Sequence, residues 1–228
     1  MEEGTGIKEL FPGVYRAARP QPNGWENAMY VLRLADGSLL VHSATRLGAG
    51  AFDELRALGD VRWLLAPNHY HHVGIPAYRE AFPAARVIAS ATAARRLRAK
   101  GHEVTTLDTA GVALPGGASF LVGEGTKNGE TFVSWPTPEG RVWLVCDAFF
   151  NVPSLTRASG AILRALRTGP GLAIGQTFCW VGVGEKKVYR AWLEGALERE
   201  PPKQLLFSHG APLVLAERTL HDLVARRL

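Results

Sequence analysis

The sequence predicts an α+β fold in which two sheets carry helices on their outer sides, and three observations predict it. Two hairpin patterns lie far apart, at residues 29–41 and 131–146. Strand and helix patterns alternate between them, and the last third returns to helix, strand and helix.

Residues 29–34 and 39–41 are apolar and rich in β-formers, and the Asp36-Gly37 pair between them reads as a hairpin turn. Residues 50–58 carry Phe52, Leu55 and Leu58 at helical spacing, and residues 61–66 form an apolar run of strand length. A histidine-rich loop follows. Residues 75–82 read as a helix stopped by Pro83, residues 87–89 as a strand, and Ser90 as the N-cap of a helix over 91–100. From 104 to 152 the pattern becomes short strands broken by Gly and Pro, with 131–135 and 141–146 joined across residues 136–140. Residues 186–198 place Tyr189, Trp192, Leu193, Ala196 and Leu197 at helical spacing before Pro201-Pro202. Residues 204–208 read as a strand ending at His209, and 216–228 as an amphipathic helix with Leu220, Leu223 and Val224 inward. No linker or repeat interrupts these patterns, so one domain over 1–228 is expected.

Apolar residues make up 46% and charged residues 21% of the 228, a balance that supports a sizeable core and excludes a disordered or fibrous chain. Residues 1–6 are acidic, with no basic-then-apolar leader, and no run of 18 apolar residues occurs; a cytoplasmic protein without membrane association is expected. Cys146 and Cys179, the only cysteines, sit in apolar runs and read as buried free thiols. Part of the +5 net charge lies in residues 95–100 and in Arg226-Arg227, which read as solvated helix faces. Basic and aromatic residues are not interleaved, so nucleic acid is not the expected partner.

Three strand ends carry ligand-type side chains. Asn68-His69-Tyr70-His71-His72-Val73-Gly74 places three of the seven histidines directly after an apolar strand, and imidazole is the commonest neutral nitrogen ligand for zinc and iron. A hydrogen-bonded surface cluster is the competing reading. Asp147 ends a second apolar run and is followed by Phe149 and Phe150; capping the next turn would also account for it. His209-Gly210 ends a third. Three such endings point to one cavity at a sheet edge. Residues 149–153 and the Gly- and Pro-rich stretch 169–175 are candidate apolar walls, the latter as a flexible cover, although packing loops explain both equally well.

The order of these motifs, over nearly the whole chain, resembles the metallo-β-lactamase superfamily. That resemblance implies a four-layer αββα sandwich. The family's H-x-H-x-D-H-x-G motif falls on residues 67–74, with Pro67 in place of the first histidine and His71 in place of the aspartate, while His69 and His72 match. The family's middle histidine falls on Thr126, its bridging aspartate on Asp147 and its last histidine on His209; its aspartate after the first hairpin falls near His42. The losses concentrate in one of the two metal sites. The resemblance therefore implies one divalent ion, zinc ahead of iron or manganese, held by His71, His72, Asp147 and His209. His69 would stand beside it as a further ligand or proton carrier. It also implies hydrolysis of a small ester, lactone, thioester or amide, with His69, Tyr70 and Asp147 as the catalytic candidates. A non-catalytic binding module, an iron redox protein and a nucleic-acid-processing enzyme stay open beside that reading.

Overall fold

The computed structural model describes residues 6–21, 25–46, 48, 50–155 and 157–228. The acidic start read above at residues 1–5 lies outside them. The chain divides into two compact units: one holds Asn27–Gly116 together with the residues up to Arg19, and the other holds Pro20–Glu26 and Gly117–Leu228.

The first unit is built on a seven-stranded sheet in sequence order: β1 (Lys8–Phe11), β2 (Val14–Pro20), β3 (Glu26–Arg33), β4 (Leu39–His42), β5 (Val61–Leu65), β6 (Arg86–Ala89) and β7 (Thr105–Thr106). β3 and β4 form the hairpin expected around Asp36-Gly37, with Tyr30 opposite His42 and Arg33 opposite Leu39. The Asp36 carboxylate accepts from both the backbone N–H and the hydroxyl of Ser38, which closes the turn and holds the Asp36 carboxyl below its ordinary range. From β4 onward the strands run parallel. Parallel neighbours need crossovers, and the sequence supplies them as α1 (Ala51–Leu58) and α2 (Ile75–Ala81) before α3 (Ala91–Ala99) and the short α4 (Leu107–Ala110). The Ser90 hydroxyl caps α3 by accepting from the Ala93 N–H, and α2 stops at Phe82 just before Pro83. Leu55, Leu64, Tyr78, Ala93 and Leu97 share one buried cluster. The Tyr78 hydroxyl donates to the Thr45 carbonyl at 3.0 Å, and burial raises its pKa.

In the second unit, β8 (Ser119–Val122), β9 (Thr131–Thr137), β10 (Gly140–Val145), β13 (Pro202–Phe207) and β14 (Leu213–Val214) form a sheet of order β14-β13-β10-β9-β8. The β9–β10 hairpin is tighter than expected: both strands extend into the proposed loop and leave Pro138 and Glu139 as the turn. β11 (Phe150–Val152) pairs with β12 (Gly171–Ala173) as a separate ribbon. The stretch read as a flexible cover is therefore partly a strand, because its backbone groups pair with the segment following Asp147, and Ile174 beside it is buried. The helices are α5 (Arg157–Ala165), α6 (Lys186–Arg199) and α7 (Thr219–Arg227), with a π-helical turn at Phe178–Gly182. Tyr189, Leu193, Ala196 and Leu197 of α6 and Leu220, Leu223 and Val224 of α7 enter one cluster with Phe132, Trp143 and Phe207. Among the described residues no helix is long and apolar enough to cross a membrane.

Candidate metal centre

Strand register creates the arrangement in the second unit. β10 and β13 are parallel neighbours paired Val145 to Phe207, and the Ser208 N–H continues the ladder to the Val145 carbonyl. Both strands end at the same level, so Cys146-Asp147 and Ser208-His209 emerge side by side. His209 Nε2 lies 3.0 Å from Asp147 Oδ1. Cys146, Asp147 and His209 each offer a ligand atom, and these atoms lie within 4.8 Å of one another.

The backbone around His209 is pinned. Asn151 donates its N–H to the His209 carbonyl, the Ala211 N–H donates to the Asn151 carbonyl, and the Asn151 side-chain amide donates to the Ala211 carbonyl. Gly210 has φ +123°, and a Cβ there would overlap the Asn151 carbonyl oxygen. The sequence needs glycine at that point for both reasons. The His209 ring is stacked with Phe150 at 5.7 Å and 18°, and the Trp25 indole N–H donates to His209 Nδ1 at 3.2 Å.

Asp147 is supported from the next residue. The Glu130 carboxyl, fully buried, accepts from the Ala148 N–H and from the Asn128 side-chain amide, both at 3.0 Å. Burial, followed by the charges of Asp147 and Glu130, pushes the Cys146 thiol up, while Ser208 alongside it pulls the other way. The donor set fits a divalent ion, since one sulfur, one carboxylate oxygen and one imidazole nitrogen converge at the edge of a sheet.

The first unit carries the histidine loop after β5. Gly74 is required there because a Cβ would overlap the Ala44 carbonyl. Asn68 shapes the loop: its side-chain oxygen accepts from the Tyr70 N–H and its carbonyl from the His71 N–H. His69 is buried, with its ring centroid 4.0 Å from that of Tyr70, which is 43% exposed. His71 Nδ1 is 2.8 Å from Ser43 Oγ. His72 is engaged at both nitrogens, by Lys100 Nζ at Nε2 and by His102 Nε2 at Nδ1, each 2.9 Å away. An ammonium only donates, so His72 Nε2 accepts and its Nδ1–H donates to His102. Burial, followed by the Lys100 charge, lowers the pKa of both rings. His42 is wholly buried, neither ring nitrogen has a hydrogen-bond partner among the described residues, and burial with the nearby His71 charge pulls its pKa down to about 3.

Of the residues singled out in the sequence, Asp147 and His209 are brought together in the second unit, and His69, Tyr70, His71 and His72 share one loop in the first. Thr126 does not act as a ligand-type side chain: its hydroxyl closes a turn onto the Gly123 carbonyl at 2.7 Å. It is Phe150, not Phe149, that meets His209; Phe149 is a core residue packed on Phe132. Three residues escaped the sequence reading. Cys146 looked like any buried thiol, although its position one residue before a strand-end carboxylate was the available signal. Glu130 hides behind a Gly-rich turn, and nothing local marks Trp25.

Comparison with solved structures decides the fold. A metallo-β-lactamase from Hirschia baltica superposes with a TM-score of 0.63 at 11% identity, covering 96% of this chain and 95% of its own. The fold is that of the metallo-β-lactamases. A second metallo-β-lactamase, from Pontibacter korlensis, matches at a TM-score of 0.62 and 12% identity over 96% of this chain and 94% of its own. A flavodiiron protein from Giardia intestinalis matches at 0.57 and 14% over 96% of this chain, which spans 58% of that protein's length. No family model matches the sequence, and no curated protein does. The metallo-β-lactamase fold thus accommodates this chain at 11–14% identity to these structures.

Proposed function

We propose that the protein is a metal-dependent hydrolase of a small ester, lactone, thioester or amide, acting at a single altered metal site with zinc as the preferred ion. The observation that carries the reading is the Asp147–His209 contact with Cys146 beside it. Cys146, Asp147 and His209 would hold the ion. When bound, such an ion supplies Lewis acidity that activates water and polarises a carbonyl. Phe150 and Trp25, packed against His209, keep bulk water from its ring and favour a compact apolar substrate. His69 is the proposed proton carrier, supported by its burial and its ring contact with the exposed Tyr70, the proposed donor to a substrate oxygen. The fold neighbours include metallo-β-lactamases, which favours hydrolysis. We propose a cytoplasmic location, supported by Cys146 and Cys179 standing outside any disulfide.

The test is turnover of a panel of activated esters and lactones by zinc-loaded protein, beside Asp147→Ala. The expected result is measurable turnover that falls at least about 100-fold in the variant, the scale of losing a ligand carboxylate. Equal turnover by both proteins would remove Asp147 from the chemistry. One observation favours a second reading, a non-catalytic module: both nitrogens of His72, a residue that matches the family motif, are occupied by Lys100 and His102.

A further inference from the structure

We propose that Trp25 opposes metal uptake by fixing which nitrogen of His209 carries the proton. The inference rests on the reading that Asp147 and His209 hold the ion. An indole N–H is a donor and nothing else, and it points at His209 Nδ1 from 3.2 Å. Nδ1 must therefore accept. The neutral ring then carries its proton on Nε2, where Asp147 Oδ1 receives it at 3.0 Å.

A histidine that ligates through Nε2 carries its proton on Nδ1 and donates it to a carbonyl, a carboxylate or water. In this chain a donor stands where that acceptor belongs. Binding at Nε2 requires the proton to leave that nitrogen and Nδ1 to gain one, and the indole hydrogen bond is lost in the exchange. Trp25 thus stabilises the metal-free His209–Asp147 pair and weakens the loaded state.

The contact also has a mechanical part. Trp25 lies 5.3 Å from Phe150 and 5.0 Å from the His209 ring, so it packs as well as donates. Trp25→Phe keeps an aromatic ring there and deletes the N–H. Losing one neutral hydrogen bond that exists only in the metal-free state is expected to tighten zinc binding about five- to tenfold.

The experiment has two arms on the metal-free protein. Nitrogen-15 NMR of the imidazoles is expected to show His209 with its proton on Nε2 in the wild type and shifted toward Nδ1 in Trp25→Phe. Calorimetric titration with zinc chloride is expected to show tighter binding by the variant. A wild-type His209 protonated on Nδ1 would overturn the proposal. So would a folded Trp25→Phe protein that binds zinc no more tightly than the wild type. Zinc bound by neither protein would end the metal reading and this proposal with it, whereas zinc bound equally by both defeats this proposal alone.

Discussion

Replacing His42 by leucine is expected to flatten the acid dependence of stability between about pH 6 and pH 4. His42 has no exposed surface and no hydrogen-bond partner among the described residues, and its pKa falls from 6.5 to about 3. The folded protein therefore holds the neutral ring. The unfolded chain takes up a proton once pH drops below 6.5, and the folded chain does so only near 3. Stability present above 6.5 is lost as pH falls through that window, at about 1.4 kcal/mol per unit and on the order of 5 kcal/mol in all. His72 and His102, also lowered, act in the same direction in both proteins, so the difference between wild type and variant isolates His42. Near neutrality His42→Leu is expected to stabilise by about 1–3 kcal/mol, because it removes an unsatisfied buried polar group. Urea melts from pH 7 to pH 4 measure both effects; parallel curves for the two proteins would show that His42 is not the acid-sensitive group.

Gly210→Ala is expected to cost about 3–4 kcal/mol and to break the His209–Asp147 contact. Two penalties add: a φ of +123° that a side chain rarely adopts, and overlap of the new methyl with the Asn151 carbonyl. Asn151 anchors His209 through hydrogen bonds on both sides of Gly210, so the backbone has little freedom to yield. In a chain of this size the melting temperature should fall by about 10 °C. Asn151→Ala retains the glycine and removes the amide donated to the Ala211 carbonyl, so a smaller drop of about 1 kcal/mol is expected there. A Gly210→Ala protein melting within a degree of the wild type would mean that the loop relaxes freely and that His209 is not held by it.

Much of the scaffold was legible because the periods were clean. The Asp36-Gly37 hairpin, the Ser90 cap and the apolar stripe of α6 each come from short-range chemistry that a sequence displays. Asp147 and His209 were legible for a related reason, since an apolar run ending in a polar residue marks a strand end. Their pairing depends on β10 and β13 being parallel neighbours in register, a long-range fact without a local signature. Trp25 and Glu130 show the limit most clearly. Each acts on the site through a residue distant in sequence, Trp25 on His209 and Glu130 on Ala148, and neither stands in a periodic or motif-like setting. His72 has contacts that its place in the sequence does not display. Its motif position suggests a metal ligand, while the fold of the first unit hands both of its nitrogens to Lys100 and His102, and no spacing rule anticipates that.

The proposed role of Asp147 and His209 is to hold a metal ion. Elemental analysis of the purified, tag-free protein beside Asp147→Ala and His209→Ala variants tests it most directly. About one zinc or iron per wild-type chain is expected, and almost none in either variant, each remaining folded by circular dichroism. A wild-type protein that stays metal-free after reconstitution, or variants that retain the full metal content, would contradict it.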